Sequence, residues 1–180
     1  MAIRNILTDA DPALKKKSRE ITDFNKRLHI LLDDMHDTLI EANGLGLAAP
    51  QVGILRRVAL IVDTIGDGED AEERTIELIN PVIIAEDGSQ EGIEGCLSVP
   101  GSYGIVCRPE TVKVRAQDRF GDTFEIECRD ITARAACHEI DHLNGIVFTT
   151  LTDHLLTEEE LEQLHAERAE KNAQESEIED

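Results

Sequence analysis

The chain has 180 residues and is 41% hydrophobic, enough to bury one core, with aromatics at only 3% and no Trp. That core must therefore be mostly Leu, Ile, Val and Ala. A formal net charge of −20 argues against nonspecific binding to DNA or RNA, which needs clustered Lys and Arg.

No apolar run approaches the roughly 20 residues of a membrane-spanning helix. The opening "MAIRNILTDADPALKKKSRE" has no apolar segment behind its charges, so it does not read as a signal peptide. Cys96, Cys107, Cys128 and Cys137 form no CxxC pair. Reduced thiols and a cytoplasmic location are expected. The length suggests one domain over residues 1–155, with residues 156–180 as an acidic helical tail whose end is expected to be disordered.

In chain order, residues 23–42 carry Phe24, Leu28, Leu31, Met35 and Leu39 at spacings of three and four. This predicts an amphipathic helix with Asp23 as its N-cap and Asn43-Gly44 as its stop. "GLGLAAPQVG" (44–53) is interrupted by Gly and Pro and reads as irregular. Residues 56–63 and 74–87 read as strands, the second broken or at an edge because of Pro81, with an acidic loop between them. "GSQEGIEGCLSVPGSYG" is expected to be a glycine-rich loop. "ETVKVRAQD" and "DTFEIECRD" alternate apolar and polar residues around Arg119-Phe120-Gly121 and predict an antiparallel hairpin. Residues 131–143 turn helical and stop at Asn144-Gly145; Thr157 and Glu160 form a capping box opening a last helix. The order implies an α+β fold: antiparallel strands around a central helix, with one helix before it and one after.

The central helix carries "CHEIDHLNG" (137–145). Positions i and i+4 lie on one helix face, so His138 and His142 can aim at one ion with Glu139 beside them. Histidines satisfied by local hydrogen bonds are the bland alternative, but HExxH on a helix is the more specific signal. A hydrolytic metal wants three protein ligands and an open position. A third His in the metzincin arrangement would fall at Phe148, so that option fails. A glutamate from the tail (Glu158, Glu159, Glu160 or Glu162) is a second option. Cys96, in the glycine-flanked "EGCLS", is a third, since a thiolate with two imidazoles suits a borderline-soft divalent ion.

"GLGLAAPQVG" (44–53), "EGCLSVPG" (94–101) and "HEIDH" (138–142), in this order and spacing, resemble the three signature motifs of the peptide deformylases. The likeness runs from residue 1 to about 155. It implies that Cys96, His138 and His142 bind a divalent metal, usually Fe2+, with Zn2+, Ni2+ or Co2+ also accommodated. It implies hydrolysis of the N-formyl group from the initiator methionine of a nascent chain, releasing formate, with Glu139 as general acid/base. Gln51 and the Leu97 backbone N–H would cradle the formyl oxygen. Leu45, Gly46 and Gly95 would pair with the peptide, Ile131 and Arg134 would border the methionine pocket, and Tyr103 would close the groove or else be an ordinary loop aromatic. Arg134 has a bland reading too, its stem packed and its head on solvent or an acidic neighbour.

Where relatives often carry Gln before the first ligand histidine, this chain has Cys137. Consecutive helical residues point about 100° apart, so Cys137 is expected to pack behind the site rather than serve as a fourth ligand. The tail from Glu158 to Asp180 holds ten acidic and two basic residues, which disfavours docking on the ribosome through that tail. Two other readings stay open: an HExxH peptidase with a tail Glu ligand, and a non-catalytic deformylase-like binding protein.

Overall fold

A computed structural model describes residues 2–65, 72–164 and 166. The central part of the acidic loop (66–71) and the tail beyond 164, apart from 166, lie outside the described residues.

The first helix, α1, spans Lys26–Glu41. Its cap is Asn25, whose side chain accepts from the Arg27 and Leu28 N–H groups; the expected cap at Asp23 lies two residues too early. An N-cap oxygen must reach the free N–H groups two and three residues ahead, and only Asn25 stands at that distance from the first turn.

Among the described residues eight strands follow: β1 (Gly46–Ala48), β2 (Val58–Ile65), β3 (Glu72–Asp87), β4 (Gln90–Cys96), β5 (Val99–Arg108), β6 (Thr111–Gln117), β7 (Thr123–Arg129) and, after the central helix, β8 (Leu155–Leu156). The central helix α2 is Asp130–Leu143. The strands form two antiparallel sheets, ordered β1-β2-β3-β6-β7 and β4-β5-β8. Among the described residues no helix is long and apolar enough to cross a membrane.

The strand alternation decides what each face covers. Leu47, Val58 and Leu60 point to one side and pack with Leu28, Leu32, Met35 and Leu39 of α1. Ala48, Ala59 and Ile61 point to the other and pack with Ala133, Ala136, Ile140 and Leu143 of α2. The five-stranded sheet is thus held between the two helices. Burying each such Leu or Met side chain contributes about 1.5–3 kcal/mol.

Two expectations need correcting. Pro81 neither breaks β3 nor puts it at an edge: β3 lies inside the sheet, and its pairing with β6 shifts register between Ile79 and Val82. Asn80 adopts φ 51° there, and its amide exchanges hydrogen bonds with the Ile21 backbone at 2.8 and 2.9 Å. A bulge lets a proline sit in an interior strand. The "GSQEGIEGCLSVPGSYG" segment is no loop; most of it forms the β4–β5 hairpin, paired from Gln90↔Arg108 to Gly95↔Tyr103.

The β6–β7 hairpin and the central helix are as expected. Residues 158–164 are helical. The Thr157 N–H donates to Glu160 Oε2 at 2.8 Å and the Glu160 N–H to Thr157 Oγ1 at 3.3 Å, the anticipated capping box.

Candidate active site

The buried face of α2 carries His138 at 8% exposure, Glu139 at 4% and His142 at 0%. Cys96 reaches them from the end of β4, where pairing with β5 slips between Gly95 and Cys96. Its Sγ lies 3.2 Å from His142 Nε2, and the donor atoms of Cys96, His138 and His142 all fall within 4.8 Å of one another. One thiolate and two imidazoles gathered this closely fit a single divalent ion of borderline softness. Among the described residues no tail glutamate joins this group, and Glu160 is spent on the cap at Thr157.

Glu94 orients the first imidazole. Burial works against its charge, but hydrogen bonds from His138 and Arg108 overcome this and hold the carboxyl at about 2. As a carboxylate it can only accept, so His138 Nδ1, 3.0 Å away, carries the hydrogen and Nε2 is left for a metal. Arg108 grips both Glu94 oxygens, at 2.8 and 3.0 Å, and also donates to Asp141 at 2.6 Å. Ser98 is a further neighbour, its N–H donating to Cys96 Sγ at 3.4 Å. Sequence reasoning missed all four residues. Glu94 and Ser98 left a trace inside "EGCLSVPG" and Asp141 inside "HEIDH"; Arg108 left none.

Glu139 lies with one oxygen against Gly46 and the other, Oε2, buried without a hydrogen-bond partner among the described residues. Burial pushes its carboxyl up to about 7. Gln51, 1% exposed, accepts the Ala48 N–H at 2.7 Å through Oε1. That fixes the amide so that Nε2 faces Ser98 Oγ at 3.3 Å and Cys96 Sγ at 3.5 Å.

A cleft of about 530 Å³ opens over these groups. Leu45, Gly46, Gln51, Gly95, Cys96 and Leu97 line it, as do Tyr103, Ile131, Arg134, His138 and Glu139, so every anticipated site residue except His142 borders it directly. His142 lies beneath, fully buried. Arg134 keeps its head on an acidic neighbour, Glu94, at 2.9 Å rather than in solvent. Cys137 stands outside this donor group and packs with Ala48, Ala133 and Ile140 in the core.

Gly46 leaves no room for a side chain. A Cβ there would stand 2.4 Å from Glu139 Oε1 and 2.7 Å from its Cγ. Gly46→Ala is expected to displace the carboxylate and lower kcat/KM by about 10²-fold, the effect of a misplacement near 1 Å. Steady-state kinetics beside an unchanged melting temperature would check this; native kcat/KM would show that Glu139 moves freely.

A cysteine sulfur and two imidazoles at the floor of this cleft, with a buried carboxyl beside them, define the class: a metal-dependent hydrolase. The polypeptide deformylase family model matches residues 3–158. The peptide deformylase of Caldicellulosiruptor bescii is 53% identical over 91% of this chain and 93% of its own length. The crystal structure of a peptide deformylase from Legionella pneumophila superposes with a TM-score of 0.77 at 40% identity, covering 98% of both chains. A class I type b peptide deformylase from Acinetobacter baumannii, solved with Met-Ala-Ser bound, gives 0.76 at 34% identity over 83% of this chain and 98% of that one. The chain belongs to the peptide deformylase family. It is an enzyme that removes the N-formyl group from nascent peptides, and the family is metal-dependent.

Proposed function

We propose that Cys96, His138 and His142 hold one Fe2+ ion, that Glu139 moves the proton, and that the substrate is the formylated initiator methionine of a chain leaving the ribosome in the cytoplasm. The observation that carries this reading is the donor triad within 4.8 Å beside a buried carboxyl oxygen that has no hydrogen-bond partner among the described residues.

A bound divalent ion supplies Lewis-acid chemistry at the triad. Glu139 Oε2 takes the proton of the attacking water and returns it to the leaving amine. As the formyl carbon becomes tetrahedral, negative charge grows on its oxygen. Gln51 Nε2, held by the Ala48 contact, and the Leu97 N–H donate to it; each such donor is worth roughly 10²–10³ in rate. The peptide lies extended along Leu45, Gly46 and Gly95, with its methionine side chain between Ile131 and Arg134 and Tyr103 at the rim. The Met-Ala-Ser ligand of the Acinetobacter structure is of the same chemical kind. The tail carries ten acidic residues from Glu158 on and is not assigned to the ribosome.

Formate release from formyl-Met-Ala-Ser by protein loaded anaerobically with Fe2+ tests this; no turnover overturns it. Protein carrying Fe2+ is expected to lose activity in air, because the Cys96 sulfur and the iron are both oxidisable, while Ni2+ or Co2+ protein keeps it. Equal decay of all three forms in an oxygen time course would remove that explanation.

A further inference from the structure

Arg134 stands one helical turn before His138 on α2, so the two side chains leave the same face. Its side chain is 6% exposed. Nη1 donates to Glu94 Oε1 and to the Val106 carbonyl, both at 2.9 Å, and approaches the Gly92 carbonyl at 3.4 Å. Nη2 donates to the Gln90 carbonyl at 3.0 Å. These acceptors belong to β4 and β5. One guanidinium thus fastens the strand that ends in Cys96 to the helix that carries both histidines. A planar fork with several fixed donors can do this; a lysine ammonium cannot.

Glu94 completes the link. Oε1 takes Arg134, while Oε2 takes His138 Nδ1 at 3.0 Å. The other charged side chain on Glu94 is Arg108, from β5, itself tied to Asp141 of α2. Without Arg134, Glu94 Oε1 keeps only the Arg108 bond, and β4 loses the guanidinium that ties Glu94 and the Gln90 carbonyl to α2.

We propose that Arg134 is a positioning residue for the metal centre: it holds Glu94 against His138 and β4 against α2, and so sets where Cys96 stands relative to the two imidazoles. The proposal rests on the reading of Cys96, His138 and His142 as ligands. Gly92 offers a second handle on the same link. A Cβ there would lie 2.8 Å from Arg134 Cζ and Nη2 and 2.9 Å from Nε, so Gly92→Ala pushes the guanidinium aside without removing its charge.

The test is a Co2+ titration of the metal-stripped native, Arg134→Met and Gly92→Ala proteins against a competing chelator. The visible absorption of each cobalt form and its melting temperature are recorded alongside. Both variants are expected to bind Co2+ about 10-fold more weakly, the low end of the cost of losing an outer-shell partner, and to shift the sulfur-to-cobalt bands. Melting temperatures that fall while Co2+ affinity and absorption stay native would overturn the proposal and leave Arg134 as a structural ion pair. Gly92→Ala alone decides if Arg134→Met fails to fold. Native protein that binds no Co2+ through sulfur would instead overturn the ligand reading, and the proposal with it.

Discussion

Glu139→Gln is expected to lower kcat by about 10²- to 10⁴-fold, the usual worth of a positioned acid/base group, with KM little changed. The substitution is nearly isosteric, so the contact with Gly46 and the packing of α2 survive it. What it removes is a site for a proton. The native carboxyl, pushed up to about 7 by burial, can both take and return one near neutrality; an amide can do neither. Metal content should stay at the native stoichiometry, since the donor triad does not include Glu139. Formate release measured beside elemental analysis checks both halves. A kcat within a factor of a few of native, with metal retained, would take the proton-transfer role from Glu139.

The placement behind that expectation was readable in the sequence because it is local. His138, Glu139 and His142 share one helix whose period is fixed by its buried face, so three letters at known spacing define a geometry. The β6–β7 hairpin was readable for the same reason: alternation over two seven-residue strands with a glycine turn between them. The β4–β5 hairpin was hidden. Gly92, Gly95, Gly101 and Gly104 interrupt its alternation, and glycine in a strand looks like glycine in a loop until neighbouring strands are known. The glycines make room for other groups: Gly92 for the Arg134 guanidinium, Gly95 for the Tyr103 ring. The Glu94 network was hidden more deeply. Its partners Arg108, Arg134 and His138 lie 14, 40 and 44 residues away in sequence, and no local pattern couples charges across such separations. Spacing left two choices for the third ligand, a tail glutamate or Cys96; the end of β4 brings Cys96 Sγ to 3.2 Å from His142 Nε2.

Cys96→Ser is the substitution on which the competing readings part. If the thiolate is a ligand, a two-imidazole remnant holds metal far more weakly than the native triad. The loss should exceed the roughly 10- to 100-fold that removal of an outer-shell partner costs. The purified variant should then carry a small fraction of the native metal and release almost no formate. If instead a tail glutamate supplied the third bond, metal content would stay near native, because Cys96 would be only a half-buried packing residue. The geometry opposes that second outcome: Glu160 is engaged by Thr157, while Cys96 Sγ already lies 3.2 Å from His142 Nε2. Serine keeps the shape and a hydrogen-bonding atom for the Ser98 N–H and Gln51 Nε2, so the metal-free variant should melt near metal-free native protein. That pairing of a retained fold with a lost metal isolates the sulfur–metal bond; retained metal with retained fold would transfer the third ligand elsewhere.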